Sequence, residues 1–363
     1  MSLDWSTALA PPLLTADLPG VGGRIKSVPE DFDVEEIPAY EPSGNGDFLY
    51  LWLEKRGMGA EYFTRQVAHR LGIPSGEVGT AGLKDRHAVT RQWVSVPVSA
   101  EPQVPQLEGD GIRVLKTGRH SNKLRPGHLH GNRFRVMIRD IATNVDIQPI
   151  LERMRQQGLP NFYGAQRFGN NGETLHLGLA LLLKQPPPIS ADGRRPNHRN
   201  PFLRKFALSA VQSALFNHYL AARVNEGLLH RVTHGDVMAK WPFGGMFVAE
   251  DVAAEQTRFD VRETVSAGPI FGRKTFPAKY EAAAREAMIL TEAGLSRESF
   301  AQFGKLMAGT RRHNLIYIDD LNADLQLTNL QLTFTLPAGS YATVLLQHVM
   351  KTPVIADDNI VEE

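Results

Sequence analysis

The sequence is 363 residues long and 42% hydrophobic, with 40 Lys and Arg against 39 Asp and Glu, a net charge of +1 and no cysteine. This composition excludes disulfide frameworks, thiolate zinc sites, iron–sulfur clusters and cysteine nucleophiles, and the length allows one large domain or two with a substantial core. The apolar run at 177–183 is far too short to span a bilayer, and the opening MSLDWSTALAPPLL lacks the basic start of a secretory signal, so a cytoplasmic setting is expected.

In chain order, DFLYLWLEK (47–55) and RQWVSVPV (91–98) are apolar on both faces and predict central strands of a covered sheet. Between them AEYFTRQVAHRLG places Phe63, Val67 and Leu71 on one helical face and stops at Gly72. In NRFRVMIRD (132–140) Phe134, Val136 and Ile138 alternate with Arg133, Arg135 and Arg139, which predicts a one-sided basic strand. VDIQPILERMRQQG (145–158) reads as a helix with Pro149 in its first turn and Gly158 at its end. The texture then changes. After the proline-rich loop KQPPPISADGRRPNHRNP, helical periodicity dominates 201–223, 278–293 and 297–307, and strands resume near 314–336. A last helix is expected over about 340–351, with Ser340 as its N-cap. Strand-rich, helix-rich, strand-rich order predicts a sheet domain interrupted by an insertion; no internal repeat is present.

Charge is segregated along the chain. Residues 111–139 hold eight Arg or Lys and no acid, among them Arg119, Lys123 and Arg125; Arg194, Arg195, Arg199, Arg204 and Lys205 form a second acid-free cluster with His198. Conversely, 28–41 holds six acids without a base, and 352–363 holds four. Two basic tracts suggest a long polyanion such as nucleic acid; a solvated strand and a flexible loop remain the alternative at this point. Phosphate-loop, G-x-S-x-G and H-E-x-x-H motifs are absent. HLH at 128–130 puts two imidazoles on one strand face, too few for a zinc site, so no metal is expected.

The segment GTAGLKDRHAVTRQWVSV (79–96) places Asp85 between Lys84 and Arg86. Such a carboxylate is either a surface ion pair or, being ionised at neutral pH, a nucleophile or stabiliser of positive charge at a sugar carbon. AGLKDRHAVTRQW closely resembles the signature of the TruD family of tRNA pseudouridine synthases. The resemblance continues, in the family's order, through KSVPEDFDVEE (26–36), GHLHGNRFRV (127–136), LPNFYGAQRFGNNGE (159–173) and LPAGSYATVLLQHV (336–349).

The resemblance implies isomerisation of a tRNA uridine, in this family at position 13, to pseudouridine by base flipping, without cofactor or metal. It implies Asp85 as the catalytic aspartate, acting as the glycosidic bond breaks. Phe32, Asn132 and Tyr341 are implied to contact the flipped nucleotide, Tyr341 standing where the family more often has Phe. Lys26 and Lys84 are implied to orient Asp85 or a phosphate. Phe134 shares the face of Val136 and Ile138 and reads first as core, although its motif lies beside the site. Arg167 is expected to pin a domain junction or touch RNA, and Arg119, Lys123 and Arg125 to grip it. The implied fold is α+β: a catalytic domain with a mixed, mostly antiparallel sheet from 1–157 and 316–363, interrupted by a helix-rich insertion at 158–315. The partner is tRNA, no membrane is involved, and a monomer is favoured. Two other classes remain open: an RNA-binding or RNA-folding protein without chemistry, and a nucleoside glycosylase.

Overall fold

The computed structural model describes residues 3–186 and 200–352. The short helix α1 (Ser6–Leu9) precedes β1 (Phe32–Pro38), β2 (Phe48–Arg56), α2 (Ala60–Leu71), β3 (Gly79–Thr80), β4 (Val89–Pro97), β5 (Ile112–His120), β6 (Leu129–Ile138) and α3 (Gln148–Gln157). The middle of the chain contributes β7 (Leu159–Pro160), α4 (Glu173–Leu182), α5 (Pro201–Asn225), β8 (Val237–Lys240), β9 (Met246–Val248), α6 (Val252–Asp260), β10 (Thr264–Ile270), α7 (Tyr280–Glu292), α8 (Arg297–Ala301), β11 (Thr310–His313) and β12 (Leu315–Ile316). The chain returns through β13 (Asn322–Gln326), β14 (Asn329–Pro337) and α9 (Ala342–Met350).

The main sheet has eight strands in the order β13-β14-β6-β1-β4-β2-β5, with β3 also on β4. Only β1 and β4 run parallel; every other pairing in it is antiparallel. The fold is therefore α+β with a mixed, mostly antiparallel sheet drawn from both ends of the chain. The middle segment forms its own sheet, β11-β10-β8-β9, against the long helix α5.

Local rules account for most elements. Phe63, Val67 and Leu71 of α2 are buried, and Gly72 closes the helix in the left-handed region at φ 65°, where glycine has no Cβ to strain. Pro149 occupies the first turn of α3, where its missing N–H leaves nothing unsatisfied. One cap differs from expectation. Tyr341, not Ser340, is the residue before α9, and the Ser340 hydroxyl instead donates to Asn161 Oδ1 at 3.1 Å, so a tertiary partner wins over the local cap.

Helices α3 and α9 cover one half of the sheet: Ile150, Leu151, Met154, Val344, Leu345 and Val349 pack with Val34, Phe134, Val136 and Phe334. Helix α2 covers the other half through Leu49, Leu51, Leu53, Val94 and Val96. In α9 the fully buried His348 accepts the Leu14 N–H at Nε2 (3.2 Å), and its Nδ1 lies 3.0 Å from the Val344 carbonyl. Burial pushes its pKa down from 6.5 to about 4. The unfolded state then binds more protons between those values, so this group's contribution is intact above about pH 6.5 and lost as pH falls toward 4. Urea unfolding of His348→Gln and the unsubstituted chain should show a difference in pH dependence of about 3 kcal/mol across that window, with the unsubstituted chain losing more stability on acidification.

Candidate active site

The site begins at a fork in the sheet. Strand β1 pairs with β4 only through Asp33↔Val89, Val34↔Thr90 and Glu35↔Arg91, and the same edge of β4 then takes β3 at Thr80↔Val94 and Gly79↔Ser95. Between the two partners the Trp93 N–H has lost its ladder neighbour, and it donates instead to Glu36 Oε1 at 3.3 Å. The other carboxylate oxygen of Glu36 takes the Lys84 ammonium at 2.8 Å; their side chains are 0% and 4% exposed. Residues 81–88 start at this fork and rejoin the sheet at Val89.

Asp85 is therefore anchored through its neighbour. It is also held by its own main chain: the Lys55 ammonium, on a fully buried side chain, donates to the Asp85 carbonyl at 2.8 Å and to the Met58 carbonyl at 2.5 Å. The Asp85 carboxylate stays partly open, its side chain 28% exposed, and the Lys26 ammonium lies 3.8 Å from Oδ1, beyond ordinary hydrogen-bond length. Lys26 reaches this position from a left-handed backbone, φ 57°, and its Nζ lies 4.7 Å from the centroid of the Phe32 ring.

Beneath this loop the sheet face is aromatic on one side and polar on the other. Phe32, Val34 and Glu36 alternate onto it, and the β6 register sets Val136, Phe134 and Asn132 beside them. Phe134 meets Phe32 edge-on at 6.1 Å and stacks on Phe334 at 5.2 Å. All three rings are buried, so Phe134 is core, as its alternation suggests, and Phe32 lies beneath Lys26. Asn132, opposite Glu36, has a buried Oδ1 with no hydrogen-bond partner; so do Gln92 at Oε1 and Thr90 at its hydroxyl. Unsatisfied polar atoms cost roughly 1–3 kcal/mol each, and their gathering near one loop suits a polar ligand.

Tyr341 stands at the start of α9, against Tyr163 at 5.7 Å. Burial pushes its phenol pKa up, while Arg167 and Arg312 pull it down more weakly. Arg167 donates to Ser213 and Ser209, so it joins the segment after β7 to α5.

The structure narrows one expectation and corrects another. Lys84, implied to orient Asp85 or a phosphate, has its ammonium buried against Glu36 and so anchors the loop at the residue before Asp85. The tract at 111–139 is not an open basic face: Arg113, Lys116, Arg119, Arg133, Arg135 and Arg139 meet Glu54, Glu41, Glu101, Glu35, Asp33 and Asp31. For Arg133, Arg135 and Arg139 the reason is register, since their acids lie on or just before β1, the strand next to theirs, and Arg113 likewise faces Glu54 across β2 and β5. Of the three residues expected to grip RNA, Arg119 is ion-paired, whereas Lys123 and Arg125 have no carboxylate partner among the described residues. Arg194, Arg195, His198 and Arg199 lie outside the described residues, as do the acids beyond 352; Arg204 and Lys205 are exposed on α5. His128 Nδ1 lies 2.6 Å from the Tyr40 hydroxyl and His130 packs on Phe243. No group of three metal-ligating side chains occurs among the described residues, where no helix is long and apolar enough to cross a membrane.

The family model described as tRNA pseudouridine synthase D (TruD) matches residues 10–187 and 198–349. The chain belongs to the tRNA pseudouridine synthase D family. It is 44% identical over 342 residues to the tRNA pseudouridine synthase D of Anaeromyxobacter sp. strain Fw109-5, covering 94% of this chain and 96% of that one. A protein of the same name from Thermus thermophilus is 41% identical over 346 residues, covering 95% and 93%. In fold, the chain is similar to the crystal structure of a putative tRNA pseudouridine synthase D from Methanosarcina mazei, with a TM-score of 0.73 at 24% identity over 96% of this chain and 98% of that one.

Within this TruD-family site, sequence reasoning missed Glu36, Lys55, Gln92 and Arg312. Lys55 left a signal: it shares the inward parity of Leu49, Leu51 and Leu53, an unusual place for a lysine. Replacing Lys84 by Met leaves the Glu36 carboxylate buried without a cation, and chemical denaturation should report a loss of about 3–5 kcal/mol; Glu36→Gln combined with Lys84→Met should recover much of it.

Proposed function

We propose that this enzyme converts a uridine of tRNA, position 13, to pseudouridine, with Asp85 as the reacting group on an everted nucleotide. The observation that carries the reading is the Asp85 carboxylate: its main chain is fixed by Lys55 and its neighbour Lys84 by Glu36, yet its side chain remains partly open beside Lys26 in a chain of this family. A nucleophile must be both positioned and accessible, and this arrangement supports both. We take residues 1–157 with 316–363 as the catalytic unit and 158–315 as an insertion facing it, with the RNA between.

In the reaction the N1–C1′ bond breaks, the uracil turns while held, C5 bonds to C1′, the C5 proton leaves and N1 takes one up. Electrons are neither gained nor lost, so the stoichiometry calls for no redox partner. Asp85 acts as the glycosidic bond breaks, Lys26 orients it, and Asn132 offers its carboxamide to the polar edge of the uracil. Phe32 and Phe134 form the apolar floor, and Tyr341 walls the site from α9. Lys123 and Arg125, without carboxylate partners among the described residues, are the members of the tract that support phosphate contact.

Asp85→Asn should abolish pseudouridine formation in uridine-labelled tRNA digested to nucleosides, while tRNA affinity changes by less than about threefold; full activity in that variant would remove Asp85 from the chemistry. Unchanged uridine with the unsubstituted chain would favour a binding protein, and liberated uracil a glycosylase. Lys123→Glu with Arg125→Glu should weaken tRNA binding and lower the slope of log K against log salt by about 1–2.

A further inference from the structure

At the junction between the middle segment and the start of α9, two arginines have no carboxylate partner among the described residues. By contrast, Arg91, Arg223 and Arg311 meet Asp33, Asp236 and Glu286 at 2.5–2.9 Å. Arg167 is held by Ser213 and Ser209 at 3.1 and 2.8 Å, both serines donating in turn to main-chain carbonyls, so its neighbours are neutral. Arg312 is held by the Asn161 carbonyl and side chain and by the Gly339 carbonyl at 2.6–2.9 Å, again all neutral. The two guanidinium carbons lie 5.7 and 4.2 Å from the centroid of the same Tyr163 ring.

Held by neutral groups, these cations are fixed in place without being neutralised, and each keeps donors in reserve: the named bonds use two of five on Arg167 and three of five on Arg312. Tyr341 packs on Tyr163, and its hydroxyl, within electrostatic reach of both arginines, has no hydrogen bond among the described residues. Arg167, Arg312, Tyr163 and Tyr341 all retain partial exposure. Two preorganised cations and a free hydroxyl around one aromatic ring are the chemistry of an oxyanion with several acceptor oxygens.

We infer that Arg167, Arg312 and the Tyr341 hydroxyl form a subsite for one backbone phosphate of the RNA, the phosphodiester next to the everted uridine, gripping the strand from the insertion side. This rests on the RNA-isomerase reading above and adds a phosphate register to it. It also gives the Tyr341 hydroxyl a task that a phenylalanine could not perform.

The test uses the full chain and a synthetic RNA hairpin carrying the target uridine, with a neutral methylphosphonate replacing one phosphodiester at a time. One position flanking the uridine should weaken binding to the unsubstituted chain roughly tenfold. In Arg167→Gln that same replacement should no longer matter, Arg167→Lys should restore part of the effect, and Tyr341→Phe should reduce it. Arg312 also holds Asn161 and Gly339, so its variant is used only if its thermal midpoint is retained; Arg167 and Tyr341 suffice without it. The inference is overturned if the methylphosphonate effect at every position is the same in Arg167→Gln as in the unsubstituted chain. Pseudouridine formation on the unmodified hairpin is scored separately: its presence without the coupling rejects the subsite alone, and its absence rejects the RNA-isomerase reading.

Discussion

The arrangement of the site depends on a buried ammonium. Lys55 places its Nζ on the Asp85 carbonyl from a side chain with no exposed surface. Taking such a charge out of water costs several kcal/mol unless its donors are well met, so the Lys55 cage tolerates little drift of the Asp85 and Met58 carbonyls that line it. Fixing the main chain in this way frees the carboxylate from having to anchor itself. It can stay partly open, with the Lys26 ammonium 3.8 Å from Oδ1.

The fork in the sheet serves the same end. Where β1 parts from β4 before β3 arrives, a strand N–H would be left bare; Glu36 covers it and binds Lys84, the residue before Asp85. Lys55 and Glu36, from different strands, thus hold consecutive residues of one loop. The polar atoms left unsatisfied nearby, on Asn132, Gln92 and Thr90, are what such a site would show before its ligand supplies their partners. At the far side, Arg167 and Arg312 repeat the pattern with charge: the structure fixes them by neutral contacts and leaves their field unspent.

What could be read from the sequence was local. The stop of α2 at Gly72 and the inward set Phe134, Val136 and Ile138 follow from residue type and period alone. Asp85 stood out through its motif. The failures all involve partners distant in sequence. Lys84 and Glu36 are 48 residues apart, and nothing in either neighbourhood announces the pair. The basic tract looked open because its neutralising acids lie elsewhere in the chain, Asp33, Glu35 and Glu54 on neighbouring strands, so segregation along the chain became pairing in space. Ser340 failed as a cap because Asn161, 179 residues away, claims its hydroxyl. Arg312 belongs to no motif; only the fold brings it to Tyr163.

The central claim is that the Asp85 side chain, presented by a loop clamped at Lys55 and Lys84, meets the sugar end of an everted uridine. The most direct measurement is a crystal structure of the Asp85→Asn variant with a tRNA fragment carrying the target uridine. The account predicts the uridine out of its stack, with its C1′ or base within about 4 Å of the side chain at position 85 and the Lys55 contact to the main-chain carbonyl intact. A uridine still stacked in the RNA, or an everted one seated away from that side chain, would contradict it.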